Sequence, residues 1–243
     1  MFELDRYEYH EDVNQGVLRH APSGVRVLDV GCGSGLLGVE LAARGNEVWG
    51  IDNAEAIAQI AGERLDRFLL ADVTAHDAVA AALGEERFDV LIFADVLEHI
   101  FDPVGMLRFY RSFLRPGGTM IVSVPNIAIW NVRLALLGGR FDYTLTGTLD
   151  KTHVRFFTRR TLERALDAAG LRVRELDVTP GILRPFVPLL KRRLGEPDDR
   201  RAIIDSRPYR IYLKLLYPLE RRIAALAPGL LAFQYIAVAE QAS

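Results

Sequence analysis

The chain has 243 residues, of which 50% are hydrophobic and 26% charged, and its 30 basic and 32 acidic residues give a net charge of −2. This composition is that of an ordinary globular protein and excludes collagen-like, disordered and disulfide-scaffold proteins. The near balance of charge leaves no chain-wide basic surface for nucleic acid, and the single cysteine, Cys32, excludes an internal disulfide and fits a reducing cytoplasm.

Most of the chain alternates apolar runs rich in Val, Ile and Phe with stretches of helical periodicity. This pattern is typical of β-α-β units around a parallel sheet. Five parallel strands are predicted, at residues 25–30, 47–51, 68–71, 88–94 and 119–124. Helices are predicted at 35–44, 54–65, 76–83 and 103–114, the last with Asp102 as its N-cap and Pro103 in its first turn.

Beyond the fifth strand the sequence predicts a helix at 127–137, a long loop at 138–151 and a helix capped by Thr158. Two further strands, 171–178 and 233–239, are expected to pair antiparallel at one edge. The apolar stretch 223–239 is at the lower length limit of a membrane span and contains Pro-Gly, which favours a helix end, a turn and a buried strand. The predicted fold is therefore α/β, a Rossmann-like seven-stranded sheet with helices on both faces.

Four segments follow from this pattern. We expect residues 1–24 to form an N-terminal helical segment, 25–180 a ligand-binding core, 181–229 a helical basic insert and 230–243 the last strand of the core sheet. The insert carries eleven Lys or Arg against five Asp or Glu, a local balance of +6. Its prolines interrupt any long amphipathic helix, so we expect a packed cap over the site. Contact with an anionic membrane surface and a dimer arm are the alternatives.

The strongest local signal is the stretch 25–35, in which a strand leads into three alternating glycines and then a helix. Glycine permits positive φ and close approach of a ligand to backbone N–H groups. The stretch 33–38 also matches G-x-G-x-x-G, which is typical of dinucleotide sites. However, the glycines begin at Gly31, and Asp29 places a carboxylate just before the turn, where it suits a cationic ligand better than a pyrophosphate. An NAD-dependent oxidoreductase is the alternative.

Residues 28–35, Leu-Asp-Val-Gly-Cys-Gly-Ser-Gly, resemble the glycine motif of class I S-adenosylmethionine-dependent methyltransferases, and the resemblance spans about residues 25–178. The stretch 114–126 is similar to the family's turn into its fifth strand. The resemblance implies S-adenosylmethionine as cofactor, with Asp29 near its amino group, Asp52 on the ribose hydroxyls and Asp72 on the adenine amino group. The other cofactor-binding positions that it implies are Gly31, Cys32, Gly33, Gly35, Asn53, Val73 and Asp95.

Methyl transfer from a sulfonium is an in-line displacement, so the protein must align a nucleophile and accept its proton. His99, after the fourth predicted strand, and His153, after the long loop, are the candidate bases. Asp95, Glu98 and His99 resemble the acid-x-x-Glu-His cluster that ubiquinone-biosynthesis O-methyltransferases use for a divalent cation. The first acid here is the shorter Asp, so we predict no metal and keep a cation at these residues as the alternative.

Several aromatic and polar residues are candidates for the acceptor side. Residues 1–24 lie where relatives have a lid over the cofactor, and Tyr7, Tyr9 and His10 are expected to cover the site from there. Asn126 and Phe156 are predicted to line the acceptor pocket. The stretch 155–170 looks like methyltransferases of bacterial glycan and natural-product pathways. The sequence thus predicts a cytoplasmic methyltransferase, a monomer or homodimer, that methylates an oxygen of a small-molecule or glycan-type acceptor. A non-catalytic cofactor-binding protein and a membrane-docked enzyme are further alternatives.

Overall fold

The structure is a computed structural model that describes residues 13–183 and 211–242. The predicted lid residues Tyr7, Tyr9 and His10, and much of the predicted insert, lie outside the described residues. The strands are β1 Arg26–Val30, β2 Glu47–Asp52, β3 Arg67–Leu70, β4 Phe88–Ala94, β5 Leu114–Pro125, β6 Leu171–Pro180 and β7 Ala232–Gln241.

The seven strands form one mixed sheet in the order β3-β2-β1-β4-β5-β7-β6. The first five are parallel, and β1 pairs with both β2 and β4. Strand β7 lies antiparallel between β5 and β6. The predicted parallel sheet with an antiparallel pair at one edge is therefore confirmed, and the carboxyl ends of all five parallel strands meet at one end of the sheet, where such folds bind ligands.

The helices are α1 Gln15–His20, α2 Leu36–Ala42, α3 Glu55–Arg64, α4 His76–Leu83, α5 Pro103–Arg111, α6 Trp130–Leu137, α7 Arg159–Ala168, α8 Tyr217–Leu226 and α9 Pro228–Leu231. The two predicted caps are confirmed. Asp102 accepts the Gly105 N–H at 2.9 Å, and Thr158 forms a capping box with Thr161.

Several boundaries differ from the sequence prediction, and three of these differences have a clear local reason. Helix α2 begins after Gly35, whose φ of +79° is outside the helical region. Helix α6 begins three residues late, because the Asn126 side chain accepts the Ala128 N–H at 2.9 Å and holds a turn. Strand β5 begins at Leu114 rather than at 119, because Leu114 already pairs with Phe88 before a bulge shifts the register.

Helices cover both faces of the sheet, as predicted. Leu91 and Phe93 of β4 pack into the larger core with α4, α5 and α7, whereas Val90 and Ile92 pack into the core with α1, α2 and α3. The predicted stretch 223–239 divides into the end of α8, the short α9 and the buried β7. Within the described ranges, no helix is long and apolar enough to cross a membrane.

An ion cluster joins α1 and α8 to the edge strand β6. The Asp177 carboxylate accepts hydrogen bonds from Arg19 at 2.6 Å, His20 at 3.0 Å and Arg221 at 2.9 Å. Burial opposes the ionised form of Asp177, but the stabilising effect of these hydrogen bonds and positive charges is larger, so the pKa of Asp177 is lowered. Asp177 thus fixes the N-terminal helix and the end of the insert on the same edge of the sheet.

Candidate active site

The three alternating glycines form the turn between β1 and α2. Gly31, Gly33 and Gly35 all have positive φ, of +74°, +53° and +79°. The N–H groups of Gly31 and Cys32 donate to the Ile51 carbonyl at 2.8 and 3.1 Å, which ties the turn to β2. A Cβ at position 31 would lie 2.7 Å from the Val96 side chain. Conformation and space therefore both require glycine at Gly31.

Two buried carboxyl groups, Asp29 and Asp52, lie beside the glycine turn. Asp52, at the end of β2, accepts the Gly33 N–H at 2.9 Å and the Ala54 N–H at 3.0 Å. Asp29 is 1% exposed, and its Oδ1 atom has no hydrogen-bond partner among the described residues. Burial, reinforced by the charge of Asp52, raises the pKa of Asp29 to about 7. The turn therefore has unsatisfied capacity for a positively charged or hydrogen-donating group.

The other predicted cofactor-binding residues near the ends of β1, β2 and β3 occupy different environments. The Cys32 thiol is buried against Gly50, and burial raises its pKa, so it is a packing group rather than a nucleophile. Asn53 is exposed just after Asp52. Asp72 is exposed and accepts the Thr74 N–H at 2.8 Å, and the Val73 carbonyl accepts the Tyr110 hydroxyl at 3.0 Å.

Asp52 and Asp72 lie at the ends of neighbouring strands. Asp52 pairs with Leu70 in the parallel β2–β3 register, and Asp72 follows Leu70 by two residues. The turn after β1, Asp52 and Asp72 thus form a row along one end of the sheet. This is the arrangement that the sequence pattern predicts for an elongated nucleoside ligand.

Asp95 has a different setting from the other predicted cofactor contacts. It has a φ of +59°, the one positive value of a non-glycine residue in the described part of the chain. Gln234 donates to both its carboxylate oxygens at 2.8 Å, Ser123 donates at 3.0 Å and Asn14 at 3.3 Å. Asp95 therefore joins the end of β4 to β5, β7 and the N-cap of α1. The sequence analysis missed this network because its members are far apart in the chain.

The two candidate bases, His99 and His153, come together although they are distant in sequence. Their ring centroids are 4.9 Å apart. The contact depends on Glu98, which sits in the short 3-10 turn Leu97–His99 and whose backbone carbonyl accepts the N–H groups of Val154 and Arg155, both at 2.9 Å. These bonds dock the end of the long loop on the turn after β4.

The side chain of Glu98 lies in the same cluster as His99 and His153. The sequence analysis considered Glu98 only as a ligand of the alternative cation and gave it no catalytic role. Glu98 is 1% exposed, and burial together with Asp95 and Asp150 raises its pKa well above the usual value. Burial and the neighbouring His99 lower the pKa of His153. One ligand-type atom from each of Glu98, His99 and His153 lies within 4.8 Å of the others. The alternative cation site of the sequence analysis therefore gains His153, while the carboxylate of Asp95 is bound by other side chains.

An aromatic wall continues from His153 towards solvent. The Phe156 ring centroid lies 6.3 Å from that of His153 and 5.8 Å from that of Phe141, and Tyr143 is 5.6 Å from Phe141. Phe141 and Tyr143 are exposed, which suits contact with a bound molecule. The predicted pocket residue Asn126 is instead fully buried, and it donates to the Ala232 carbonyl at 2.9 Å. Its side chain orders the turn between β5 and α6.

Comparison with known proteins adds a family to this geometry. The sequence model of a family described as a methyltransferase domain matches residues 3–176. The ubiquinone biosynthesis O-methyltransferase of Azorhizobium caulinodans is 35% identical over 156 residues, which are 63% of this chain and 61% of that protein. The protein of the same name from Marinobacter nauticus is 35% identical over 196 residues, 77% of this chain and 79% of that protein. The match thus spans about three fifths of the first relative.

Solved structures share the fold at lower sequence identity. A SAM-dependent methyltransferase from Archaeoglobus fulgidus is 18% identical with a TM-score of 0.57, and the alignment covers 89% of this chain and 86% of that one. The 1,6-didemethyltoxoflavin-N1-methyltransferase of Burkholderia thailandensis, solved with bound 1,6-didemethyltoxoflavin and S-adenosylhomocysteine, is 19% identical with a TM-score of 0.54, and the alignment covers 94% of this chain and 78% of that one. These similarities support the seven-stranded fold.

Proposed function

Because the chain belongs to the S-adenosylmethionine-dependent methyltransferases, we propose that it transfers the methyl group of this cofactor to an oxygen atom of a small-molecule or glycan-type acceptor. The observation that carries the proposal is the glycine turn beside Asp29, whose buried Oδ1 lacks a partner among the described residues. An ammonium group satisfies such an oxygen, whereas the diphosphate of NAD would be repelled by Asp29 and Asp52. The residues therefore fit the phosphate-free cofactor.

We assign the cofactor contacts in the order of the strand ends. Asp29 and the backbone of the turn, Gly31 to Gly35 including Cys32, hold the methionine part, and Asp52 with Asn53 holds the ribose. Asp72 and Val73 hold the adenine. The bound cofactor supplies a methyl group on a positively charged sulfur, and the chain's task is to exclude water and to place the acceptor in line with that methyl group.

The acceptor side is proposed to lie between His153 and the aromatic wall. The exposed rings of Phe141 and Tyr143 and the edge of Phe156 can stack on a planar ring or on the apolar face of a sugar. His99 and His153 are the proposed acceptors of the hydroxyl proton there. The relatives named as O-methyltransferases support oxygen as the methylated atom.

Calorimetric titration of S-adenosylhomocysteine into the full chain tests the cofactor assignment. Asp52→Asn is expected to weaken binding about tenfold or more, because a charged hydrogen-bond acceptor contributes about 1.5–3 kcal/mol. Asp66→Asn is the matched control, since Asp66 also accepts a backbone N–H, that of Val48 at 2.7 Å, but near the start of β2. Binding of NAD without binding of S-adenosylhomocysteine would refute the proposal in favour of an oxidoreductase.

We also propose that residues 181–229 cap the acceptor side of a cytoplasmic monomer or homodimer. The buried carboxyl of Glu220 in α8 accepts the Leu183 N–H at 2.9 Å and the Tyr212 hydroxyl at 2.5 Å, which joins the two ends of the intervening segment. Membrane contact is the competing role, and the exposed Leu219 and Leu226 of α8 favour it. Flotation with phosphatidylglycerol vesicles but not with phosphatidylcholine vesicles would select the membrane role over the cap.

A further inference from the structure

The residue that follows the fourth parallel strand has a backbone conformation that side chains other than glycine rarely adopt. Asp95 has a φ of +59°, and no other non-glycine residue of the described ranges has a positive φ. In this left-handed region the Cβ atom crowds the following carbonyl oxygen, which disfavours the conformation about 5- to 30-fold for an ordinary residue. Such a conformation persists only where the surrounding structure holds it, and it is concentrated at functional sites.

Gln234 makes the shortest of the side-chain hydrogen bonds that hold Asp95. Its Nε2 atom donates to both carboxylate oxygens of Asp95 at 2.8 Å, and its Oε1 atom accepts the Thr179 hydroxyl at 3.1 Å. Because a carboxylate only accepts, the amide has one possible orientation here, and both of its ends have partners. Ser123 and Asn14 donate to the same carboxylate at 3.0 and 3.3 Å.

Gln234 reaches Asp95 because β7 runs antiparallel to the first five strands. It is the third residue of β7 and pairs with Pro125, at the carboxyl end of β5. The start of β7 therefore lies at the same end of the sheet as the glycine turn. In the apolar stretch 223–239, the only polar side-chain groups belong to Gln234 and Tyr235. An amide in so apolar a strand is explained by its hydrogen-bond partners rather than by packing.

The conformation of Asp95 determines where the next residue lies. Val96 is buried and packs against the glycine turn, since a Cβ built on Gly31 would lie 2.7 Å from its Cγ2 atom. If residue 95 left the left-handed region, the chain would leave β4 in another direction, and Val96 would no longer support the turn. The hydrogen bonds of Gln234 therefore act on the part of the site that is assigned to the methionine part of the cofactor.

We propose that Gln234 is a positioning residue for the cofactor, which holds Asp95 in the left-handed conformation and thereby keeps Val96 against Gly31. Without this hold, residue 95 relaxes in the free protein, and the cofactor must restore the conformation when it binds. The apparent affinity then falls by the fraction of the free protein that is competent to bind. The effect on the cofactor rests on the proposed function, whereas the hold of Gln234 on Asp95 does not.

Calorimetric titration of two ligands into the full chain tests this role. Gln234→Leu should bind S-adenosylhomocysteine about 5- to 30-fold more weakly than the wild type. It should bind 5′-methylthioadenosine, which has the nucleoside but no amino acid part, within about twofold of the wild type. Gln241→Leu is the matched control, because Gln241 lies at the other end of β7 and donates to the Arg111 carbonyl. It should leave both affinities unchanged. Equal weakening of both ligands in Gln234→Leu would refute the positioning role, because general damage to the fold does not distinguish the two ends of the cofactor.

Two double variants separate the backbone of Asp95 from its charge. In the Gln234→Leu background, Asp95→Gly should restore the affinity for S-adenosylhomocysteine to within about threefold of the wild type, because glycine adopts a positive φ without strain. Asp95→Ala removes the same carboxylate but keeps a Cβ, so the affinity should stay low. Equal affinities of the two double variants would contradict the proposal, because Gln234 would then act on the carboxylate and not through the backbone.

Nuclear magnetic resonance of the free protein tests the hold on Asp95 without a ligand. Gln234→Leu should shift the backbone amide signals of Gly31 and Val96, whereas Gln241→Leu should not. Should Gln234→Leu fail to fold, Ser123→Ala removes a smaller part of the same network and should shift the same signals. Unchanged signals would overturn the inference. If the wild type failed to bind S-adenosylhomocysteine, these spectra would separate failure of the proposed function from failure of the hold.

Discussion

Replacing Asp29 with Asn should stabilise the protein and weaken its cofactor site at the same time. The carboxyl group is buried beside Asp52, and the rise of its pKa from an ordinary 3.8 to about 7 measures the cost of ionising it in the folded chain. At about 1.36 kcal/mol per pH unit, this rise corresponds to about 4 kcal/mol at pH 8. Asparagine has nearly the same shape and carries no charge, so it removes this cost.

The sign of the pH dependence follows from linkage. Between about pH 4 and pH 7 the folded protein binds more protons at Asp29 than the unfolded chain does, so the contribution of Asp29 to the free energy of unfolding falls as the pH rises. Urea unfolding at several pH values should therefore show Asp29→Asn and the wild type converging near pH 4 and diverging by up to about 4 kcal/mol at pH 8. Binding of S-adenosylhomocysteine should weaken about tenfold in the variant, because a charged partner of its amino group is lost.

Asp102→Asn is the control, because Asp102 is exposed and asparagine caps a helix equally well. It should keep the wild-type difference between pH 4 and pH 8. The reasoning would be refuted if Asp29→Asn showed the same difference as the wild type, since the buried carboxyl would then not be the source of the pH dependence.

Three further substitutions test other parts of the structure. Gly31→Ala should abolish detectable binding of S-adenosylhomocysteine in calorimetry, because the added Cβ would meet the Val96 side chain. Gly45→Ala is the control, since Gly45 also has a positive φ but lies in open space. This control should lower the free energy of unfolding by only about 1–2 kcal/mol and leave binding intact. Phe93→Ala should lower the free energy of unfolding in urea by about 3–5 kcal/mol, whereas the same change at the exposed Phe101 should cost less than about 0.5 kcal/mol. Asp177→Asn should destabilise the protein at pH 7. The difference in free energy of unfolding between variant and wild type should disappear as the pH falls below the lowered pKa of Asp177, because the wild type then loses the same charge. A difference that stays constant on acidification would contradict this assignment.

The local parts of the site could be predicted from the sequence because their members are close along the chain. The glycine turn follows its strand directly, Asp52 is the last residue of β2, and Asp72 comes two residues after β3. Once the strands are parallel neighbours, their carboxyl ends must lie side by side. The N-caps Asp102 and Thr158 were predictable for the same reason, since a cap acts within three residues of itself.

The environments of Asp95, Glu98 and Asn126 could not be predicted in this way. The hydrogen-bond network of Asp95 depends on the register of β7 against β5. The burial of Glu98 depends on the long loop folding back onto the turn after β4. Asn126 directly follows β5 and so lies at a strand end, as Asp52 does, yet its side chain binds backbone groups in the protein interior. Strand-end position alone therefore does not distinguish a ligand contact from a structural hydrogen bond.

The amino-acid sequence by itself determined the sheet of seven strands, the glycine turn and the carboxylates at the ends of β2 and β3, because periodicity and short-range spacing are properties of neighbouring residues. Only the tertiary structure decided that His99 and His153 share one cluster, that Glu98 is buried within it and that Asp95 is held by three other side chains. These facts depend on which distant segments pack together, and on how far that packing removes each charge from water.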